Sequence, residues 1–363
     1  MNITAIDIQK VADAPARWQE IVDASIDGWI WHTWLAHEFN LCAGEKYGGR
    51  DLSFFVYEEG KAVGVVPLIV QKKILGEYTG YETAYYSESL PWPCFRADLE
   101  PERAAALENF AFIELERRAR EAGAGRIAVL LIPPINRGDE RERIARVAAE
   151  HSYLYLPMIS QLVTVNSETL SLARSRYDYK HFSPLFTVTI AEGPEVTEAL
   201  EETYFNLHVK DAGGQFRSRE SYTKQADIAR QGEGFYVIAR HKEGNTMAGM
   251  ILVSYYKGAA HYASAAIDPL FQKMCVGYQL QCRAIEELLH RGISFYNLGG
   301  KENISTWNSL ASDKKRGIAH FKDKFARHQA RDVYHMEKFL NAKFFDAYLQ
   351  EKGKALRNYF SLQ

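Results

Sequence analysis

Two stretches of the chain carry the same succession of hydrophobic patterns. The first opens with Phe54-Phe55-Val56-Tyr57, passes a polar turn at Glu58-Glu59-Gly60-Lys61, and continues as the apolar run Ala62 to Val70. The second opens with Phe235-Tyr236-Val237-Ile238-Ala239, turns at His241-Lys242-Glu243-Gly244-Asn245, and continues as Thr246 to Val253. An aromatic run, a charged turn containing glycine and a second apolar run predict a β-hairpin in each. Both second runs carry a small-residue signature, Ala62-Val63-Gly64 and Ala248-Gly249. After each hairpin comes a segment with helical spacing. Arg103 to Ala122 is amphipathic and stops at Gly123 and Gly125, and Arg126 to Ile132 then reads as a buried strand ended by Pro133-Pro134. In the second series Val276 to His290 is helical, with Val276, Leu280, Ala284, Ile285, Leu288 and Leu289 on one stripe. Gly292 stops it, Ile293 to Tyr296 is the strand, and Gly299-Gly300 ends that strand. One hairpin resembles any other, but the repeated order of hairpin, helix, glycine stop, strand and breaker points to two divergent copies of one α/β unit.

The expected division is an N-terminal half over 1–165, a C-terminal half over 166–335 that carries the site, and a helical tail over 336–363. Between the halves, Gln161 to Val165 predicts a strand and Leu170 to Phe182 a basic helix. Met336 to Phe360 reads as a terminal helix with Phe339, Leu340, Phe344, Phe345 and Tyr348 on its apolar face. Its apolar face is discontinuous and its basic face mixed, which favours packing on the body over lying in a membrane surface.

Composition narrows the function classes. A length of 363 residues suffices for two cores. The net charge of −2 makes the whole molecule no electrostatic trap for nucleic acid, so an RNA contact needs a local basic patch. Cys42, Cys94, Cys275 and Cys282 form no Cys-x-x-Cys pair and have no histidine at zinc-ligand spacing, so free thiols and no metal site are expected. The N-terminus lacks a signal-peptide pattern, and the longest apolar run, Ala62 to Val70, is too short to span a bilayer. A cytoplasmic protein is expected, one that would meet any lipid-linked substrate at the membrane surface.

A further series is informative in its order: Tyr262 to Pro269, the helix from near Gly277, Tyr296-Asn297-Leu298-Gly299-Gly300, and Gly317 to Phe325. With Trp34-Leu35 and Val66-Pro67-Leu68 in the first half, it resembles the FemAB-like, CelD/BioF-related branch of the GNAT superfamily. The likeness runs from about Trp29 to Phe325. At Asn297 the chain departs from it, since many relatives carry Asp there. The resemblance implies a mixed α/β (α+β) fold: tandem GNAT-like halves packed around a cleft. It also implies transfer of an acyl group from acyl-CoA, or of an amino acid from aminoacyl-tRNA, to an amine. Acceptors in the branch include cell-wall precursors and sugar-linked amines. A catalytically inactive binding protein of a polysaccharide pathway is the alternative of another class.

Such a transfer needs a polarised carbonyl, a deprotonated amine and a protonated leaving group. No Gly-x-Ser-x-Gly elbow offers a hydrolase-like nucleophile. The resemblance places Lys322 on the lysine of the closing motif, where a fixed cation between Phe321 and Phe325 suits a phosphate, a carboxylate or an oxyanion. The bland reading is a solvated basic face of Lys314, Lys315, Arg316, Lys322, Lys324 and Arg327, which is equally the best local candidate for tRNA contact. Asp268 and Tyr262 are the other catalytic candidates, Asp268 as base or ammonium anchor against a turn-capping role beside Pro269. Gln272-Lys273-Met274-Cys275-Val276-Gly277 is similar to the family's donor-phosphate loop, with Cys275 in place of the first glycine. Gln272, Lys273, Val276 and Gly277 are thus the expected donor-binding residues, against a plain helix start packed at Gly277. Tyr296, Lys301, Glu302, His208 and Asp211 are expected to line the acceptor site.

Overall fold

The computed structural model describes residues 2–85, 89–132, 140–300, 313–326 and 330–360. They divide into two compact units, of which the first holds the described residues up to 158 and from 332 onward, and the second those between 159 and 331.

The first unit starts with β1 (Ile3–Asp7) and the helices α1 (Ala14–Ala24) and α2 (Trp34–Gly44). Strands β2 (Arg50–Asp51), β3 (Phe54–Glu58), β4 (Lys61–Val66), β5 (Ile69–Leu75) and β6 (Tyr78–Thr83) follow. The expected hairpin is β3 and β4, paired antiparallel from Phe54↔Val66 to Glu58↔Lys61. The expected second run, however, is two strands. It breaks at Pro67, which has no N–H to donate to a ladder, and β5 enters a different sheet. Gly64 on β4 admits Phe95, whose ring would lie 2.4 Å from any added Cβ.

Two short strands, β7 (Leu90–Pro91) and β8 (Cys94–Phe95), lead into α3 (Pro101–Glu121). Proline opens this helix, where a missing N–H costs nothing, and Gly123 at φ +78° follows its end. Leu107, Ala111, Phe112, Leu115 and Ala119 form its buried stripe, each large side chain stabilising the core by roughly 1.5–3 kcal/mol. Next come β9 (Ala124–Leu131) and α4 (Glu140–His151). β9 runs parallel to β6 at Tyr81↔Ala124 and Glu82↔Arg126.

In the second unit the sheet order is β11 (Phe186–Ala191), β12 (Gly234–His241), β13 (Thr246–Tyr256), β14 (Ala259–Ile267), β15 (Phe295–Gly300), β10 (Leu154–Thr164), where β10 belongs to this unit from residue 159 onward. All neighbours pair antiparallel except β14 and β15, which are parallel. The predicted hairpin is β12 and β13. The predicted helix Leu170 to Phe182 is instead two, α5 (Ser167–Ser175) and α6 (Tyr177–Phe182), because Arg176 adopts an extended conformation between them. Helices α7 (Glu198–Ala212) and α8 (Arg219–Arg230) precede β12, and α9 (Val276–His290) joins β14 to β15. The stripe on α9 is buried as read except for Leu289, which is exposed. Gly249 lets α9 approach β13, since a Cβ there would lie 2.9 Å from Val276. β15 begins later than expected and includes Gly299 and Gly300.

Helix α10 (Asp313–Ala326) completes the second unit, and β16 (Ala330–Phe339) returns the chain to the first, pairing antiparallel with β9. Residues 336–339 are therefore strand rather than the start of the terminal helix, which is α11 (Ala342–Phe360). Its Phe344 is fully buried over β9 because Gly125 has no side chain; a Cβ there would stand 2.5 Å from the ring. Gly125→Ala is expected to destabilise the protein by about 1–3 kcal/mol, read as a lower denaturant midpoint, through this overpacking. An unchanged midpoint would show that the helix yields freely.

Candidate active site

The parallel pairing of β14 and β15 is brief. It joins Ala259↔Phe295, Ala260↔Tyr296 and His261↔Asn297 and goes no further. Beyond it β14 stays with β13 as far as Gly249↔Ile267, while β15 stays with β10 as far as Ser160↔Gly300. The two strands splay, and among the described residues no ladder joins their facing edges beyond these pairs. A shift of register between Leu252 and Val253 leaves Ala263 on β14 without a cross-strand counterpart at the mouth of this gap.

Asn297 fixes the end of β15. It is buried, and its Oδ1 accepts the hydroxyl of Ser160 at 2.6 Å and the backbone N–H of Gly299 at 2.7 Å. That holds Gly299 at φ +88°, a conformation suited to glycine. An added Cβ would also sit 3.1 Å from Nζ of Lys322. The ammonium of Lys322 is thus against the backbone where β15 leaves β14. Its helix is anchored from β10, since Gln161 Nε2 donates to Ala319 O at 3.1 Å and to Asp323 Oδ1 at 2.7 Å. Lys324 pairs with Asp178 at 2.8 Å, so that neighbouring lysine is already engaged. Phe321 and Phe325 pack edge to face with centroids 5.5 Å apart, and Phe325 lies on Tyr278 at 4.5 Å.

Three further groups stand at or next to the last paired residues of β14 and β15. His261 is held neutral, its pKa pushed down to about 3 by burial and then by the Lys322 charge. Tyr296 donates its hydroxyl to Gln281 Oε1 at 2.9 Å, and burial keeps this phenol protonated. Tyr262 is raised by burial and then by Tyr204, so it too is a hydrogen-bond donor at neutral pH. Tyr262, Tyr296 and Lys322 are among the residues expected from sequence; His261, Gln281 and Ser160 are not. His261 directly precedes Tyr262 and was open to notice; the Ser160–Asn297 contact spans 137 residues and leaves no local signal.

The remaining expected residues gather at the far end of β14. Asp268 is buried, caps the 3₁₀ turn Pro269–Met274 by accepting the Leu270 N–H at 3.0 Å, and pairs with Lys210 at 2.7 Å. Asp211 accepts the Ile267 N–H at 3.1 Å and Gln272 Nε2 at 3.4 Å. Cys275 follows at φ 51°, ψ 35°, so the backbone holds the left-handed conformation that glycine would favour, with a side chain added. Val276 is buried against Gly249. Gly277 is closely packed, a Cβ there lying 3.1 Å from Ile267 and 3.4 Å from Phe321, while Lys273 is exposed. His208 stands apart, its Nδ1 3.1 Å from the Tyr222 hydroxyl, and burial and then Arg217 lower it to about 4. Lys301 and Glu302 lie outside the described residues. An open depression of about 780 Å³ lined by Thr197, Glu201, Arg219 and Arg230 lies elsewhere on this unit, its charges paired with one another.

Among the described residues of the first unit this gap is covered. Where β9 parts from β6, β7 takes the vacated edge through Leu90↔Val129 and Pro91↔Leu130, and the Trp92 N–H donates to Leu130 O at 3.0 Å.

The FemAB family model matches residues 198–335, the part of the chain that holds the splay. Among solved structures, FemX superposes with a TM-score of 0.62 at 11% identity, covering 95% of this chain and 99% of that one. The chain has a FemAB-like, GNAT-related fold. A tandem GNAT protein from the clavulanic acid biosynthesis pathway gives 0.51 at 9% identity over 94% of this chain and 98% of that one. The C-terminal domain of a putative lysylphosphatidylglycerol synthetase from Agrobacterium fabrum gives 0.57 at 14% over 92% and 93%. No curated protein matches by sequence. The tandem GNAT likeness agrees with the expected α/β fold of two related halves.

Gly299→Ala is expected to distort the site twice over, through the positive φ and through contact with Lys322. Any transfer activity should fall at least tenfold while the unfolding free energy drops by no more than about 2 kcal/mol. Full activity in that variant would show that the Gly299–Lys322 approach has no part in the chemistry.

Proposed function

We propose that the chain is an acyl or aminoacyl transferase that forms an amide in the splay between β14 and β15, on an amine acceptor used in cell-envelope or polysaccharide synthesis. The observation that carries this reading is the opening itself. Two strand edges part beside a fixed lysine and two protonated phenols, which suits an extended donor laid along β14. The amine nitrogen attacks the donor carbonyl, the new C–N bond forms as the C–S or C–O bond breaks, and one proton passes from the amine to the leaving thiol or hydroxyl. Lys322 supplies positive charge for the oxyanion or for the leaving group, and Tyr262 is the candidate proton donor. His261, held neutral beside Lys322, is too weak a base to take the amine proton and is suited instead to hydrogen-bonding the bound substrate. Asp268 is better suited to shaping the donor loop than to acid–base work, because both its oxygens are engaged.

Acyl-CoA is the first reading of the donor. The turn before α9 keeps a glycine-like backbone at Cys275, and Gln272, Lys273, Val276 and Gly277 are then its diphosphate contacts. A second reading, aminoacyl-tRNA with a peptidoglycan precursor as acceptor, is favoured by the Cys275 side chain, which crowds a diphosphate approaching that backbone. It draws also on the FemAB match over residues 198–335. Tyr296, His208 and Asp211, together with Lys301 and Glu302, remain the proposed acceptor-side residues. A binding protein without activity is the reading left if neither donor is used.

Purified full-length protein given acetyl-CoA and a panel of amino sugars, or charged tRNA and a peptidoglycan precursor, distinguishes the three. Product is expected with one donor. Lys322→Ala should then lower kcat/KM by about 10²–10³ with the fold intact by circular dichroism. Undiminished turnover in Lys322→Ala would remove the lysine from the mechanism, and no product with either donor would leave the binding protein.

A further inference from the structure

One rim of the second unit is apolar and basic at once. Leu270, in the turn that leads to α9, is 74% exposed; Tyr177 on α6 is 70% exposed and Leu185 37%. These positions belong to one continuous edge. The Lys242 N–H donates to Leu185 O at 2.9 Å, and His241 stacks on Phe271 with centroids 5.3 Å apart. Phe271 also meets Phe186 at 6.3 Å, and on α6 Tyr177 stacks on His181 at 5.0 Å. Exposed Lys180, Lys242 and Lys273 stand among them. Of the nearby acids, Asp178 is taken by Lys324, Asp268 by Lys210, and Asp211 accepts from the Ile267 N–H and Gln272, which leaves Glu243.

We propose that this rim docks the protein on an anionic phospholipid surface. Leu270, Leu185 and Tyr177 would enter the interface while Lys180 and Lys242 meet the phosphates. A leucine on a protruding turn gains most by leaving water for acyl chains, whereas a nucleic acid would reward planar rings and arginines. Basic side chains beside it add attraction to anionic headgroups within a Debye length. Because Leu270 and Lys273 share the turn that opens α9, docking would bring the candidate donor loop to the bilayer. That acceptors are lipid-linked rests on the function proposed above, but membrane binding itself does not.

Full-length protein is sedimented with vesicles of phosphatidylglycerol and phosphatidylcholine, and with phosphatidylcholine alone, at about 0.1 M salt. Binding is expected with the anionic vesicles and is expected to fade in high salt. Leu270→Asp and Lys242→Glu should each weaken it about tenfold or more. Lys257→Glu, of equal charge change in the turn at the other end of β14, should leave it within about twofold. Equal binding to both vesicle types, or equal binding by all variants, would overturn the proposal. So would loss of tRNA binding in the two rim variants with vesicle binding intact, which would give the rim to nucleic acid. Transfer to a soluble amine is measured separately, so a failure of docking is distinguishable from a failure of catalysis.

Discussion

The limited parallel pairing of β14 with β15 governs the rest of the second unit. Three residue pairs hold the strands together, and then each follows a different antiparallel partner. A ladder that ends inside a sheet leaves backbone donors and acceptors that must be satisfied by something else. Asn297 maintains this arrangement, binding Ser160 of β10 and the N–H of Gly299 with one oxygen. Asn297 does this as a neutral amide, so it adds no charge at this end of β15.

The comparison of the two units gives the splay its meaning. Both place a helix between two parallel strands, α3 before β9 and α9 before β15. In the first unit β7 closes the edge that opens, and Trp92 is buried in the core beside it. The same α/β order thus ends with a strand covering the edge in one copy and with parting strands in the other.

Much of this was legible in the chain. Hairpins, helix stripes and glycine stops are local signals, and α3, α9, β12 and β13 stand close to where hydrophobic periodicity puts them. The small residues in the two hairpins were visible, and the structure supplies their cause in the close approach of Phe95 to Gly64 and of Val276 to Gly249. The misplaced elements have local causes too: Pro67 moves the chain to a second sheet, Arg176 breaks a helix, and β9 recruits residues up to Phe339 into a strand although their pattern suits a helix. The site was half legible. Tyr262, Tyr296 and Lys322 were reached through the order of motifs, but Asn297 with Ser160 and Gln161 with Asp323 are pairings made by tertiary structure, beyond any periodicity.

Hydrogen exchange of the full-length protein, with and without saturating donor, tests the central claim that the splay receives the donor. Donor laid along β14 should slow exchange at amides between Tyr262 and Ala266, leaving β6 and β9 unchanged. Protection confined to β6 and β9, or to the Thr197–Arg219 depression, with β14 exchanging as before, would contradict it.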